Sequence, residues 1–141
     1  MAVITLTTDL GHKDFYQAAL KGSLLSQLSG ANIVDITHEI PAFNIPRAAF
    51  VLGNAYHYFP KGTVHIIGIN TLFHEESKYI GMKYNDHYFV GADNGIFSLL
   101  LNGNEPQELY ELNLMQDLRY LHFPLADILS KSACHIAKGG K

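Results

Sequence analysis

Two short polar tracts, Thr7-Thr8-Asp9-Leu10-Gly11-His12-Lys13-Asp14 and Ala92-Asp93-Asn94-Gly95, each follow an apolar run of strand character. Strands that end in Thr, Asp and Gly put carboxylates and bare backbone at the carboxyl edge of a sheet, where open α/β folds bind small molecules. Asp9 and Asp14 are the sharpest candidates for chemistry. A carboxylate at a strand end accepts two hydrogen bonds from a vicinal diol, and a second one pairs with an ammonium group. The alternative for each is structural, Asp9 as a turn residue and Asp14 as a helix cap. Asp93-Asn94-Gly95 is a turn signal in its own right. Phe43, on a loop beside the same edge, has the shape to stack on a purine or ribose, or to plug a core.

Other chemistries find less support. Eight histidines invite a metal reading, yet no H-x-x-x-H or C-x-x-C pair occurs, and His57, His65 and His87 fall in helix or strand patterns. The phosphate-binding, dinucleotide-binding and nucleophile-elbow signatures are all missing. Cys134, the single cysteine, lies in a helix pattern and reads as a buried small hydrophobe. No metal, cofactor or covalent nucleophile is expected.

The elements that must position these residues alternate along the chain. Val3 to Thr8 reads as a buried strand. A helix follows, with Asp14 at its N-terminus and Leu20, Leu24 and Leu28 as its apolar stripe. Gln17 and Lys21 interrupt that face, and Gly22 costs about 1 kcal/mol relative to Ala. Asn32 to Ile36 is a second strand, closed by Thr37-His38-Glu39-Ile40-Pro41. Asn44 caps the cleanest helix, with Pro46 in its first turn and Ile45, Ala48, Ala49, Leu52, Ala55, Tyr56 and Phe59 at helical spacing. Pro60-Lys61-Gly62 turns into a third strand, Thr63 to Ile69, which ends at Asn70-Thr71. The order βαβαβ implies parallel strands with right-handed crossovers. Tyr79 to Tyr84 and His87 to Val90 flank Asn85-Asp86 as a hairpin, and Leu109 to Leu112 offers another strand. A last helix runs from Phe123-Pro124 through Asp127, Ile128, Leu129, Ala133 and Ile136 to Gly139.

The fold expected is α/β, a three-layer sandwich whose mostly parallel, mixed central sheet carries helices on both faces. The 141 residues at 48% hydrophobic content suit one domain with an ordinary core. A net charge of −3 with ten scattered Lys plus Arg gives no footprint for nucleic acid or an anionic membrane. No apolar run approaches the roughly 20 residues of a membrane span. A lone cysteine and a start that lacks the features of a signal peptide make a cytoplasmic chain the expectation. Lys138-Gly139-Gly140-Lys141 reads as the beginning of a connection after a domain spanning 1–138.

In order and spacing, several tracts together resemble the S-adenosylmethionine hydroxide adenosyltransferases, relatives of the fluorinating and chlorinating enzymes. They are Ile4-Thr5-Leu6-Thr7-Thr8-Asp9-Leu10-Gly11, Asp14, Lys21-Gly22, Ile33-Val34-Asp35-Ile36-Thr37-His38, Phe59-Pro60-Lys61-Gly62-Thr63-Val64-His65 and Asp93-Asn94-Gly95. The likeness covers nearly the whole chain and only the family's N-terminal α/β domain. It implies that S-adenosylmethionine is the substrate, held between this domain and a β-rich C-terminal domain of a neighbouring subunit in a homotrimer. It further implies that a nucleophile displaces methionine at the 5′ carbon of the ribose. By the same resemblance Asp9 grips the ribose hydroxyls, Asp14 lies near the methionine amino group and Phe43 beside the ribose. Phe123 matches the first residue of an F-H-G-R-D stretch and is a further substrate-binding position.

The hydrolytic members carry an Asp-Arg-His set that is broken here. Asn70 stands for the Asp, Ser77 for the Arg with Lys78 beside it, and Pro124 for the His. Asn cannot accept a proton, and losing a general base costs about 10²–10⁴ in rate. Asn70 is therefore the catalytic candidate as a group that orients water. His122, His74, Glu75 and Glu76 are either substitutes for the base or solvated loop residues. A sulfonium already has a neutral leaving group, so orientation and desolvation supply much of the catalysis. Leu125 replaces the Ser of the halide pocket, which argues against halogenation. Cleavage of S-adenosylmethionine by water to adenosine and methionine is the leading expectation. The alternatives are a catalytically inactive adenosine or S-adenosylmethionine binding protein, separated by turnover, and a trimeric scaffold, separated by nucleoside affinity.

Overall fold

Strand β1 (Val3–Thr8) alternates faces from its second residue onward, Ile4 and Leu6 towards one side of the sheet and Thr5 and Thr7 towards the other, all four buried. The computed structural model describes residues 2–69, 78–112 and 129–139. After β1 come α1 (Tyr16–Gln27), β2 (Asn32–Thr37), α2 (Ile45–Ala55) with a short 3₁₀ turn (Tyr56–Tyr58), and β3 (Val64–Gly68). The hairpin β4 (Tyr79–Tyr84) and β5 (His87–Ala92), then α3 (Ile96–Leu101), β6 (Glu108–Glu111) and α4 (Ser130–Ala137), complete the order.

The six strands form one sheet in the order β2-β1-β3-β5-β4-β6. β2, β1, β3 and β5 run parallel, while β4 lies antiparallel to both β5 and β6. The α/β sandwich with a mixed sheet is thus the one expected. Because β2 lies to one side of β1 and β3 to the other, the chain reverses direction across the sheet at β1. That reversal opens a crevice at the carboxyl ends of β1 and β3. The alternation of β3 divides the core: Val64 and Ile66 join Leu20 and Leu24 of α1 and Ala133, Cys134 and Ile136 of α4 on one face. Ile67 joins Ala48 and Leu52 of α2 and Ile96, Phe97 and Leu100 of α3 on the other. Among the described residues no helix is long and apolar enough to cross a membrane.

Local signals account for most boundaries. Asn44 is the N-cap of α2, its Oδ1 accepting from the Arg47 N–H at 3.0 Å. Asn85 and Asp86 both take positive φ, 50° and 64°, as a tight two-residue hairpin turn requires. Cys134 is buried, its thiol 3.9 Å from the Leu24 carbonyl, and burial pushes that thiol up from its usual range. Three features differ from expectation. Asp14 does not cap α1: the N-cap is Phe15, and Asp14 Oδ1 instead accepts from the Phe15 N–H at 2.7 Å. Helix α3 was not foreseen, because a six-residue, largely apolar stretch is too short to show a helical period. Helix α4 is described from Ser130, and its expected start at Phe123-Pro124 lies outside the described residues.

Gly22 sits exposed in α1, and a Cβ there meets nothing within 4 Å. Gly22→Ala is therefore expected to stabilise the domain by about 0.8–1 kcal/mol through helix propensity alone. A melting curve raised by a few degrees checks it, and an unchanged or lower Tm refutes it.

Candidate functional site

The parallel strands β1, β2, β3 and β5 end on one edge of the sheet, and the polar tracts gather there. Thr8 is the last residue of β1 and Asp9 the first beyond it. The Asp9 N–H donates to the Gly68 carbonyl at 3.3 Å, so Asp9 sits over the end of β3, against the crevice. Thr8 Oγ1 accepts from the Leu10 N–H at 3.2 Å, an i to i+2 turn closed by a hydroxyl. Gly11 follows at φ 73°, a left-handed value that costs glycine little, and its N–H donates to the His38 carbonyl at 2.7 Å. The Ile40 N–H reaches the Thr8 carbonyl at 3.3 Å, binding the loops after β1 and β2 together.

Below this turn runs a chain of polar contacts that the sequence analysis did not single out. His38 Nδ1 lies 2.6 Å from Thr8 Oγ1 and its Nε2 2.7 Å from Asp35 Oδ1. His38 and Thr8 are both fully buried. Lys21 Nζ donates to Asp35 Oδ2 at 2.7 Å and to Gln17 Oε1 at 3.1 Å. Gln17 Nε2 donates to His12 Nδ1 at 2.9 Å, and His12 Nε2 stands 3.2 Å from the Glu39 carboxylate on the surface. Burial alone would push the Asp35 carboxyl up; the hydrogen bonds from Lys21 and His38, with their charges, outweigh it and hold the group below the usual carboxylate range. In a regular strand, residues three apart point to opposite faces. A register slip opposite Leu6/Thr7 lets His38 reach back to Asp35. Lys21 thus interrupts the apolar stripe of α1 because its partner is a carboxylate on β2, and Gln17 because it accepts from Lys21 and donates to His12; that interruption was the available signal.

Phe43 stands beside Asp9, its N–H a long 3.5 Å from Asp9 Oδ2. Its backbone takes φ 61°, a left-handed conformation that a bulky side chain adopts only at a cost of about 1–3 kcal/mol. The ring is 59% exposed, so it plugs no core. Phe43→Gly is expected to leave Tm unchanged or higher, since relief of strain offsets the loss of an exposed ring, while nucleoside affinity falls several-fold. A clear fall in Tm on melting would return Phe43 to a structural role. Asp14 is exposed on the loop that leads into α1, next to the stacked rings of Phe15 and Tyr16.

The second tract has a structural duty at the same edge. The Asp93 N–H donates to the Lys78 carbonyl at 2.8 Å, and Asn94 Oδ1 accepts from the Ile96 N–H at 3.2 Å. Asn94 Nδ2 donates to the Ile69 carbonyl at 3.0 Å, anchoring the end of β3 one residue before Asn70. Gly95 begins α3 at φ 95°. Asn70 and Phe123 lie outside the described residues, as do His74, Glu75, Glu76, Ser77, His122, Pro124 and Leu125. Among the described residues no group of three or more His, Cys, Asp or Glu side chains is placed to hold a metal.

Two other histidines lie well away from the edge, near the opposite ends of β3 and β5. His65 Nδ1 is 2.6 Å from Thr5 Oγ1, and its Nε2 is 3.1 Å from His87 Nδ1. Tyr56, Phe59 and Phe89 surround the His65 ring. Burial first, and then the neighbouring His87, push His65 down to about 3. Burial also lowers His87, with Asp86 opposing.

The fold and the edge define an open α/β domain with the Asp9 carboxylate at the strand reversal. The chain belongs to the SAM hydroxide adenosyltransferase N-terminal domain family, matched over residues 4–141. It is 43% identical over 101 residues to an (R)-S-adenosyl-L-methionine hydrolase of Methanocaldococcus jannaschii, covering 68% of this chain and 38% of the relative. A protein of the same name from Thermus thermophilus is 29% identical over 112 residues, covering 79% of this chain and 44% of the relative. An uncharacterized conserved protein from Thermotoga maritima superposes with a TM-score of 0.87 at 29% identity, over 99% of this chain and 54% of that one. The chain therefore spans under half the length of these curated relatives and about half of the solved structure.

Proposed function

We propose that the protein cleaves S-adenosylmethionine with water, giving adenosine and methionine. The observation that carries this reading is the placement of Asp9 at the strand reversal, on a turn held from both sides, in a chain of this family. The Asp9 carboxylate accepts hydrogen bonds from the ribose hydroxyls, the Phe43 ring covers the sugar, and Asp14 pairs with the methionine ammonium. These anchors hold the 5′ carbon still while a water oxygen attacks it from the side opposite sulfur. The carbon–sulfur bond breaks, its electron pair goes to sulfur, and methionine leaves as a neutral thioether. The attacking water loses its proton to solvent.

Asn70 orients the water through its amide and accepts no proton, so the reaction depends on positioning and desolvation more than on base catalysis. S-adenosylmethionine is substrate and no cofactor is required. The rest of the ligand surface, its adenine side included, comes from a β-rich C-terminal domain of a neighbouring subunit in a homotrimer. The family resemblance supports that arrangement. The test is incubation of the full-length protein with S-adenosylmethionine and chromatography for adenosine and methionine. Steady equimolar release is expected; binding without release overturns the reading.

A further inference from the structure

We propose that His38 is a positioning residue, which through Thr8 fixes the turn carrying Asp9 and so sets the protein's selectivity for a ribose with both hydroxyls. The inference rests on the reading of Asp9 as the ribose grip. It begins at Asp35, whose Oδ2 receives Lys21 at 2.7 Å and whose Oδ1 faces His38 Nε2 at 2.7 Å. An ionised carboxylate only accepts hydrogen bonds, so Nε2 carries the proton and donates it. In the neutral ring Nδ1 is then an acceptor, and the Thr8 hydroxyl 2.6 Å away must donate to it.

With its proton committed to His38, Thr8 Oγ1 turns a lone pair to the Leu10 N–H at 3.2 Å. Both neighbours of Asp9 in the chain are thereby held, one by its side chain and the other by its amide. His38 adds a second hold through its carbonyl, which accepts from Gly11 at 2.7 Å. The chain of contacts leads from the fully buried His38 and Thr8 to the turn beside the crevice. An apolar core residue at position 38 would fill the space without the cost of burying polar groups. A carboxylate that must meet two hydroxyls at once tolerates little misplacement, which is what such a chain prevents.

Two substitutions break the chain at different links. His38→Gln keeps a donor for Asp35 and removes the acceptor for Thr8, and Thr8→Val removes the hydroxyl at nearly constant shape. Calorimetric titration of the full-length protein with adenosine and with 2′,3′-dideoxyadenosine measures the selectivity directly, with Tm recorded for each variant. In both variants adenosine affinity is expected to fall about tenfold or more, dideoxyadenosine affinity to stay within about twofold, and KM for S-adenosylmethionine to rise more than kcat falls. His38→Asn, which retains an acceptor near Nδ1, is expected to recover most of the selectivity. A selectivity ratio equal to that of the parent in folded Thr8→Val or His38→Gln overturns the proposal and leaves His38 a core residue. A parent protein that does not distinguish the two nucleosides overturns the ribose-grip reading itself, and the proposal with it.

Discussion

Asp9→Ala is expected to lower kcat/KM for S-adenosylmethionine by about 10²–10⁴-fold, with Asp9→Asn intermediate. Hydrogen bonds to a charged group are worth about 1.5–3 kcal/mol each, and in the proposed ribose grip the carboxylate makes two with the hydroxyls. Their loss, at 1.4 kcal/mol per factor of ten, gives that range. The amide of Asn still accepts from one hydroxyl, but it has no charge and offers a donor where the second acceptor stood. The fold should tolerate either change. The turn around Asp9 is closed by the Thr8 hydroxyl and by backbone bonds to Gly68 and His38, none of which uses the Asp9 side chain. Steady-state kinetics beside thermal melts decide the matter. A large loss of activity at nearly constant Tm supports the ribose grip, and unchanged kinetics would leave Asp9 a turn residue.

The second large effect is on stability in mild acid. His65 is fully buried, bonded to Thr5 and His87, and its folded value of about 3 lies far below the ordinary 6.5. As pH falls below 6.5 the unfolded chain takes up a proton that the folded chain refuses, so stability present above 6.5 is lost progressively towards 3. One such proton costs about 1.4 kcal/mol per pH unit, against a total of about 5–15 kcal/mol for a domain. His87, also lowered, adds in the same direction. Asp35 acts later, because a carboxyl held below 3.8 gives up its contribution only as pH falls to and beneath that value. The interval from about pH 6.5 to 4.5 therefore reports the histidines. Urea midpoints measured across it are expected to fall steadily in the parent. They should fall less steeply in His65→Asn, whose amide can still meet Thr5 but does not titrate. Parallel slopes for the two proteins would show that His65 is not the group responsible.

Much of this architecture was legible before any coordinates, and for local reasons. β1 and the hairpin announce themselves through β-branched and aromatic residues closed by turn residues, and α2 through a side-chain cap three residues from the N–H that donates to it. Helix α3 escaped because its six residues, Ile-Phe-Ser-Leu-Leu-Leu, are apolar save one serine, and a helix that short has no period to detect. Asp14 was misplaced as a cap because the same residue type serves turns and helix starts equally well, and here the chain bends for one more residue before α1 begins.

By itself, then, the amino-acid sequence determined the element types, the parallel order of β1, β2 and β3, and the gathering of Asp9 and Asp93-Asn94-Gly95 at one sheet edge. Alternation and capping act between residues a few positions apart, and right-handed crossovers do the rest. Only the tertiary structure decided which polar groups meet. Thr8 and His38 are thirty positions apart, and their contact depends on the pairing of β1 with β2 and on the slip in its register. His65 meets Thr5 across sixty positions for the same kind of reason. Sheet register is set by the packing of whole faces, so a buried side chain's partner cannot be read from its own neighbours in the chain.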